Sequence, residues 1–349
     1  MIEALDGMVG DPSRIHAEGM AARVAVEQAR EQVATLLGAR SREVVFTSGA
    51  TESIATAAWG ARERGPHSVV TAVEHSAVRA AAARGPVTVV PVDEVGRVDP
   101  AEVVDAIVPE TGLVHVQWGN HETGTTQPLG DIVAGCRERA VLVHVDAAQA
   151  VGHVPVDFHG HRPDLLSVSA HKFGGPLGVG ALLVRRGLRL DPLLLGGDQE
   201  RARRAGTENV AAIVGFGAAA ATLDDDELDV EQTAARRWTE RLLAGVTAIE
   251  GVGAYGDPVD RLPHITCFGF DDIEPQAVLL GLDRAGVAAH SGSACSSASL
   301  EPSPVLAAMG VDAHRSLRLS VGWSTTDADV DAALTALPPV LAELRALQP

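Results

Sequence analysis

Lysine and arginine together number 28 in this 349-residue chain, and a single one of them, Lys172, is lysine. An arginine side chain keeps its proton at any ordinary pH, so residue 172 is the one side-chain amine able to act as a nucleophile. It follows an apolar run, Leu165–Val168, which gives way to Ser169, His171 and Lys172 and then to Gly174-Gly175. A second apolar run, Val141–Val145, delivers Asp146 and then Gln149. Both runs read as buried strands that end on polar residues. In open α/β sheets, ligands collect at the carboxyl ends of strands. An amine and a carboxylate facing one ligand there suit pyridoxal phosphate (PLP). The amine holds its aldehyde covalently, and the anion beside its pyridine nitrogen keeps the ring protonated as an electron sink. The plainer alternative is a lysine surviving by chance on a surface loop; its strand-end setting argues against that.

The bulk composition bounds the rest. Hydrophobic residues make up 46% and charged residues 21%, as in a globular chain. The length allows a sizeable core in two domains. A formal net charge of -18 argues against nucleic acid or an anionic membrane as the main partner. No apolar run approaches the roughly twenty residues of a membrane span, and no signal-peptide pattern is visible, so a cytoplasmic protein is expected. Cys136, Cys267 and Cys295 are too few for a disulfide framework and have no metal-ligand spacing. The 13 histidines show no metal motif either.

The elements that must position these groups follow from periodicity. Apolar residues from Met20 to Leu37 recur at helical spacing, and Gly38 ends that helix. Glu43–Thr47 reads as a strand, turning through Ser48-Gly49 into a helix that starts with Ala50, Thr51 and Ser53. Amides and hydroxyls at such a start make a phosphate cradle; a plain helix cap fits equally well. A strand ending at His75, a helix from Ser76, a short strand near Val89, a strand ending at Trp118 and a helix over 131–139 follow. This alternation predicts a mostly parallel sheet flanked by helices. The acidic run 224–229 reads as a solvated helix start and a domain junction. Beyond it come a helix over about 230–247, a strand at His264–Phe270, a helix from Gln276, a strand from Val287 running into a loop, a strand at Ser316–Val321, and a terminal helix over 327–346. That order suits a small α+β domain.

Several segments together carry a resemblance: Gly10–Gly19, Glu43–Ser53, Val73–Val78, Asn120–Pro128, Val143–Asp157, Asp164–Leu182, Arg203–Val210, Ser291–Leu306 and Ser316–Thr326. In this order, over nearly the whole chain, they resemble the NifS/IscS-type (group I) cysteine desulfurases of the class V aminotransferase group. The resemblance implies an α/β, aspartate aminotransferase-like fold of type I. A PLP-binding domain would span 1–227, and a smaller domain 228–349 would carry the catalytic cysteine loop. It implies that Lys172 holds PLP, Asp146 pairs with the pyridine nitrogen, and Gln149 bonds the ring's phenolic oxygen. His75 would stack on the ring and move protons. Ala50, Thr51, Ser169 and His171 would bind the cofactor around its phosphate. Thr207 would reach the phosphate of a neighbouring subunit, implying a homodimer. Arg318 would grip the carboxylate of L-cysteine, with Asn120 near the substrate. Cys295 would take the sulfur and pass it to an acceptor protein. Cys136, on a helix, and Cys267, in an apolar strand, read as packing residues.

The chain departs from the family at several places. His121 stands where the family has a second asparagine, and is expected to lie near the cofactor and to titrate near neutrality. His290 replaces a serine. The chain begins just downstream of the family's usual Asp-Tyr-Ala-Ala-Thr-Thr-Pro opening, so the pocket is expected to be completed otherwise, or the natural start lies upstream. Two other functions fit the same residues: another PLP-dependent reaction on this fold, such as a carbon–sulfur lyase, a selenocysteine lyase or an epimerase, not all of which need a loop cysteine, and a non-catalytic docking scaffold for sulfur acceptors.

Overall fold

The computed structural model describes residues 1–7, 10–271, 273–291 and 302–347. Seven strands form the larger sheet: β1 (Val44–Thr47), β2 (His67–Thr71), β3 (Val87–Val90), β4 (Thr111–Gln117), β5 (Leu142–Asp146), β6 (Leu165–Ser169) and β7 (Gly180–Val184). Their spatial order is β1-β7-β6-β5-β4-β2-β3. From β3 through β6 all neighbours are parallel, whereas β7 is antiparallel to both β6 and β1. The strand β7 was hidden in the sequence by Gly174–Gly180, which reads as turn. Its entry needs glycine: a Cβ on Gly180 would lie 2.4 Å from the Val168 carbonyl oxygen and 2.6 Å from Gly49 Cα.

The strands β4, β5 and β6 are buried along their whole length, as expected for a parallel sheet covered on both sides. Their alternation sorts side chains onto two faces. Val114, Val116, Val143, Val145, Leu166 and Val168 join the main apolar core on one face. The other face carries Leu113, Leu142 and Leu165 at its start, then His115 and His144, and then Gln117, Asp146, Ser167 and Ser169 at the carboxyl ends. Helix Ala50–Gly60 lies over this polar face.

A second sheet has order β10-β9-β8, all antiparallel: β8 (Val252–Tyr255), β9 (Ile265–Phe270) and β10 (Ser316–Ser320). Helices Asp225–Thr247, Pro275–Arg284 and Asp327–Ala346 pack on it around Trp238, Leu242, Phe268 and Leu317. The acidic run does start a helix: Asp224 accepts from the Glu227 amide at 2.9 Å, and the first-turn carboxylates suit the helix dipole. The expected junction at 227/228 therefore falls inside that helix's first turn. The expected strand from Val287 does not form. His290 makes only an isolated bridge to Arg318, and residues 292–301 lie outside the described residues. The strand expected to run to His75 stops at Thr71, and a turn sets Glu74 and His75 at the start of helix Ser76–Ala82.

Candidate active site

One cavity of about 390 Å³ opens at the carboxyl ends of β4, β5 and β6. Its wall includes Ala50, Thr51, His75, His121, Asp146, Gln149, Ser169, His171, Lys172 and Arg318, all singled out in the sequence. It also includes Gln117, Gly119 and His290, which sequence reasoning had not assigned to a site. Cys295 lies outside the described residues. Asn120 is not part of the wall. Its side-chain oxygen accepts from the Glu122 and Thr123 amides at 2.8 and 2.9 Å, and its amide donates to the Val73 carbonyl at 3.1 Å, so it shapes the turn beneath the cavity. Thr207 is exposed and lies away from this cavity.

Each wall residue is placed by local structure. Lys172 sits in the 3-10 turn Ala170–Phe173 directly after β6, closed by Gly174 at φ 86°, a left-handed conformation that favours glycine. His153 Nε2 lies 3.0 Å from the Lys172 carbonyl oxygen and steadies that turn. Asp146 closes β5 and is only 8% exposed. Its Oδ1 accepts from the Ala148 amide at 3.0 Å and from Ser167 Oγ at 3.4 Å. At the start of helix Ala50–Gly60, Gly49 has φ 151°, and the Ala50 amide donates to Ser169 Oγ at 2.8 Å. The first-turn amides of a helix have no intrahelical acceptor, so this end attracts an anion. The helix is held by Glu52, which accepts from the Ser48 amide at 2.8 Å and from Arg204 Nε at 2.9 Å.

Arg318 reaches the cavity from β10, 146 residues after Lys172. Its Nη1 donates to the His121 carbonyl at 2.7 Å, and its Nε is buried without a partner. A guanidinium with an unmet donor in a cavity wall suits a carboxylate ligand. His121 packs edge-on to His75, with ring centroids 5.0 Å apart. The expectation that His121 titrates near neutrality is corrected: burial, with His75 and Arg318 adding to it, holds its pKa well below the usual range, and the ring stays neutral. His75 both lines the cavity and caps a helix, its Nδ1 accepting from the Ala77 amide at 3.1 Å. In the neutral ring its proton therefore sits on Nε2. Burial lowers the His75 pKa and raises that of Asp146, while their mutual attraction opposes both shifts.

Two buried carboxyls escaped the sequence reading because burial, not residue type, makes them unusual. Glu122 is pushed up to about 7 by burial; its Oε2 accepts from Ser303 Oγ at 2.6 Å, and Ser303 caps helix Pro304–Ala308. Glu74 is pushed up to about 8, chiefly by burial; its Oε1 accepts from Thr71 Oγ1 at 2.7 Å and the Gln117 amide at 2.8 Å. A glutamate of ordinary pKa 4.5 releases its proton in the unfolded chain, whereas folded Glu74 keeps it to about 8. The stability this contributes is complete below pH 4.5 and is lost as pH rises through 8. The melting temperature of the wild-type protein should therefore fall between pH 6 and 9 more steeply than that of Glu74→Gln. Parallel melting curves for the two proteins would contradict a protonated Glu74.

The donor set fits PLP: one amine, one buried carboxylate at a strand end, and a helix start with hydroxyls beside it. The comparisons with known proteins agree. The model of the family described as aminotransferase class-V matches residues 1–333. The cysteine desulfurase IscS of Methanosarcina thermophila is 42% identical over 352 residues, covering 97% of this chain and 87% of that protein. A cysteine desulfurase of Gluconacetobacter diazotrophicus is 44% identical over 356 residues, covering 97% and 88%. The chain belongs to the NifS/IscS-type (group I) cysteine desulfurase family, within the class V aminotransferases.

Solved structures similar to this chain share the fold. A NifS-like protein superposes with a TM-score of 0.91 at 32% identity, over 98% of this chain and 94% of that one. SspA, solved in complex with cysteine, gives a TM-score of 0.80 at 30% identity, over 91% and 92%. The fold is thus the type I PLP architecture, with a mixed rather than purely parallel sheet. Among the described residues no helix is long and apolar enough to cross a membrane.

Proposed function

We propose that this cysteine desulfurase family member converts L-cysteine to L-alanine and leaves the sulfur as a persulfide on Cys295. The observation that carries the reading is the meeting of the chain's one lysine, a buried strand-end aspartate and an arginine with an unmet donor in one cavity. Lys172 would hold PLP, Asp146 would face its ring nitrogen, Gln149 its phenolic oxygen, and the helix start at Ala50 and Thr51, with Ser169 and His171, its phosphate. When bound, PLP supplies an electron sink beside the substrate's α-carbon.

The chain's own groups supply the rest. Arg318 orients the substrate carboxylate. The Lys172 amine takes and returns the proton at the α-carbon. His75, with its proton on Nε2, begins as a proton donor rather than as a base. The Cys295 thiolate forms a bond to the substrate sulfur as the carbon–sulfur bond breaks. The net exchange is Cys295–SH plus L-cysteine giving Cys295–S–SH plus L-alanine, and an acceptor protein then takes the outer sulfur. In this reading residues 1–227 hold the cofactor, and residues 228–349 bring Arg318 and Cys295. A homodimer, with Thr207 serving the neighbouring cavity, belongs to the same reading.

The test is incubation of PLP-loaded protein with L-cysteine and a thiol reductant, measuring alanine and sulfide together. Equal, sustained release of both is expected. A coloured protein that releases neither would favour the docking-scaffold reading. Within the same assay, Arg318→Lys should raise KM for L-cysteine with a smaller change in kcat. Losing a charged, forked hydrogen bond costs about 2 kcal/mol, or about 30-fold in KM. An unchanged KM would remove Arg318 from the substrate site.

A further inference from the structure

Behind Asp146 the polar face of the sheet continues inward. His115 on β4, His144 on β5 and Ser167 on β6 are each 0% exposed. Ser167 Oγ donates to Asp146 Oδ1 across 3.4 Å. His144 Nε2 is 3.1 Å from Ser167 Oγ, and His115 Nδ1 is 3.0 Å from His144 Nδ1. The two rings meet edge to face, with centroids 5.0 Å apart, because His115 and His144 are in-register partners of the parallel strands. His115 Nε2 is buried and has no partner.

With Asp146 ionised, these contacts assign every proton. A hydroxyl has one proton, and Ser167 directs it to the carboxylate. The proton shared between Ser167 and His144 must then belong to His144 Nε2. A neutral imidazole protonated there has only a lone pair at Nδ1, so His115 donates from its own Nδ1. That leaves a bare lone pair at His115 Nε2, the atom that lacks a partner. Burial keeps both rings neutral: the His115 pKa is pushed down to about 4 and that of His144 well below the usual range. All donors in the chain of hydrogen bonds therefore point the same way, toward Asp146. Reversing any one of them would set two protons or two lone pairs face to face.

We propose that His115, His144 and Ser167 form a one-way hydrogen-bond relay that holds Asp146 as the anion facing the cofactor's ring nitrogen. They are positioning residues, and the proposal rests on the reading that PLP occupies this cavity. Burial of Asp146 favours its neutral form. A hydrogen bond to the charged form opposes that, and successive donors polarise one another in a site of low dielectric. An Asp146 that loses its relay protonates more readily and binds the ring nitrogen less firmly.

The test has two parts. In the full-length protein freed of PLP and labelled with ¹⁵N-histidine, His115 should report the Nδ1–H tautomer and His144 the Nε2–H tautomer. Signals are assigned by their loss in His115→Asn and in His144→Gln. PLP is then titrated into each variant, with melting curves recorded alongside. His115→Phe removes the first donor and should raise the PLP Kd by about three- to tenfold, the worth of one net hydrogen bond. His115→Asn, whose amide donates from near the Nδ1 position, should stay within about twofold of wild type by the same measure. On a Ser167→Ala background, His115→Phe should add nothing further. An Nε2–H tautomer at His115, or equal PLP affinity in wild type and His115→Phe, overturns the relay. If His115→Phe does not fold, the tautomers and the His115→Asn and Ser167→Ala titrations decide. Wild-type protein that takes up no PLP would instead overturn the cofactor reading, while the tautomers would still report on the relay.

Discussion

Lys172→Ala should leave the protein without the visible absorption of covalently held PLP and lower alanine formation from L-cysteine by about 10³-fold or more, within the range for loss of a proton-transferring group. The expectation rests on a count and a position. Residue 172 is the one lysine among 349 residues, so no neighbouring amine can substitute for it. Arginine cannot take over either, because its proton is held too tightly. The position is set by the turn after β6, pinned by His153 and by the left-handed Gly174, at the wall shared with Asp146. Borohydride reduction of the PLP-loaded protein, digestion and mass spectrometry check this directly, since a single internal peptide can carry the label. Label elsewhere, or retained activity in Lys172→Ala, would end the proposed chemistry.

Cys295→Ala should abolish the persulfide and lower desulfuration by about 10²-fold or more, as for other lost nucleophiles, with cofactor absorption intact. The argument proceeds by elimination. Cys136 is fully buried on helix Leu129–Glu138, and burial, with Asp164 nearby, pushes its thiol up to about 12. Cys267 is fully buried on β9, and burial, reinforced by Glu122, raises its thiol further still. A sulfur acceptor must be a thiolate that substrate can reach. Neither of these qualifies, and the chain has 3 cysteines in all. Alkylation of the folded protein should therefore modify one cysteine, and peptide mapping should find it at 295. Wild-type turnover in Cys295→Ala would point to a lyase that needs no enzyme thiol.

Much of the cavity wall was legible because an amine and a carboxylate after apolar runs stand out in a sequence. Lys172 and Asp146 follow apolar runs, and the helix start at Ala50 follows another. Arg318 was placed at the substrate only by the family resemblance; periodicity alone gave a strand there and could not bring it to this cavity, since it comes from the other sheet. The relay was not legible either. His115 and His144 are 29 residues apart, and only the register of β4 against β5 makes them neighbours. The unusual acidity of Glu74, Glu122 and His121 comes from burial, which residue type does not encode. His75 both lines the cavity and caps helix Ser76–Ala82, and the cap decides which nitrogen carries the proton. The strand β7 was missed because its glycines, needed where it passes Gly49, resemble those of a loop.

The order of residues by itself determined which side chains could do chemistry and where most of the apolar strands lie, because nucleophilicity and apolar periodicity are local properties. Tertiary packing decided which of those side chains share a cavity, how long a buried proton is kept, and in which direction hydrogen bonds run. Those depend on the low dielectric and the fixed neighbours that exist only once the two sheets are assembled.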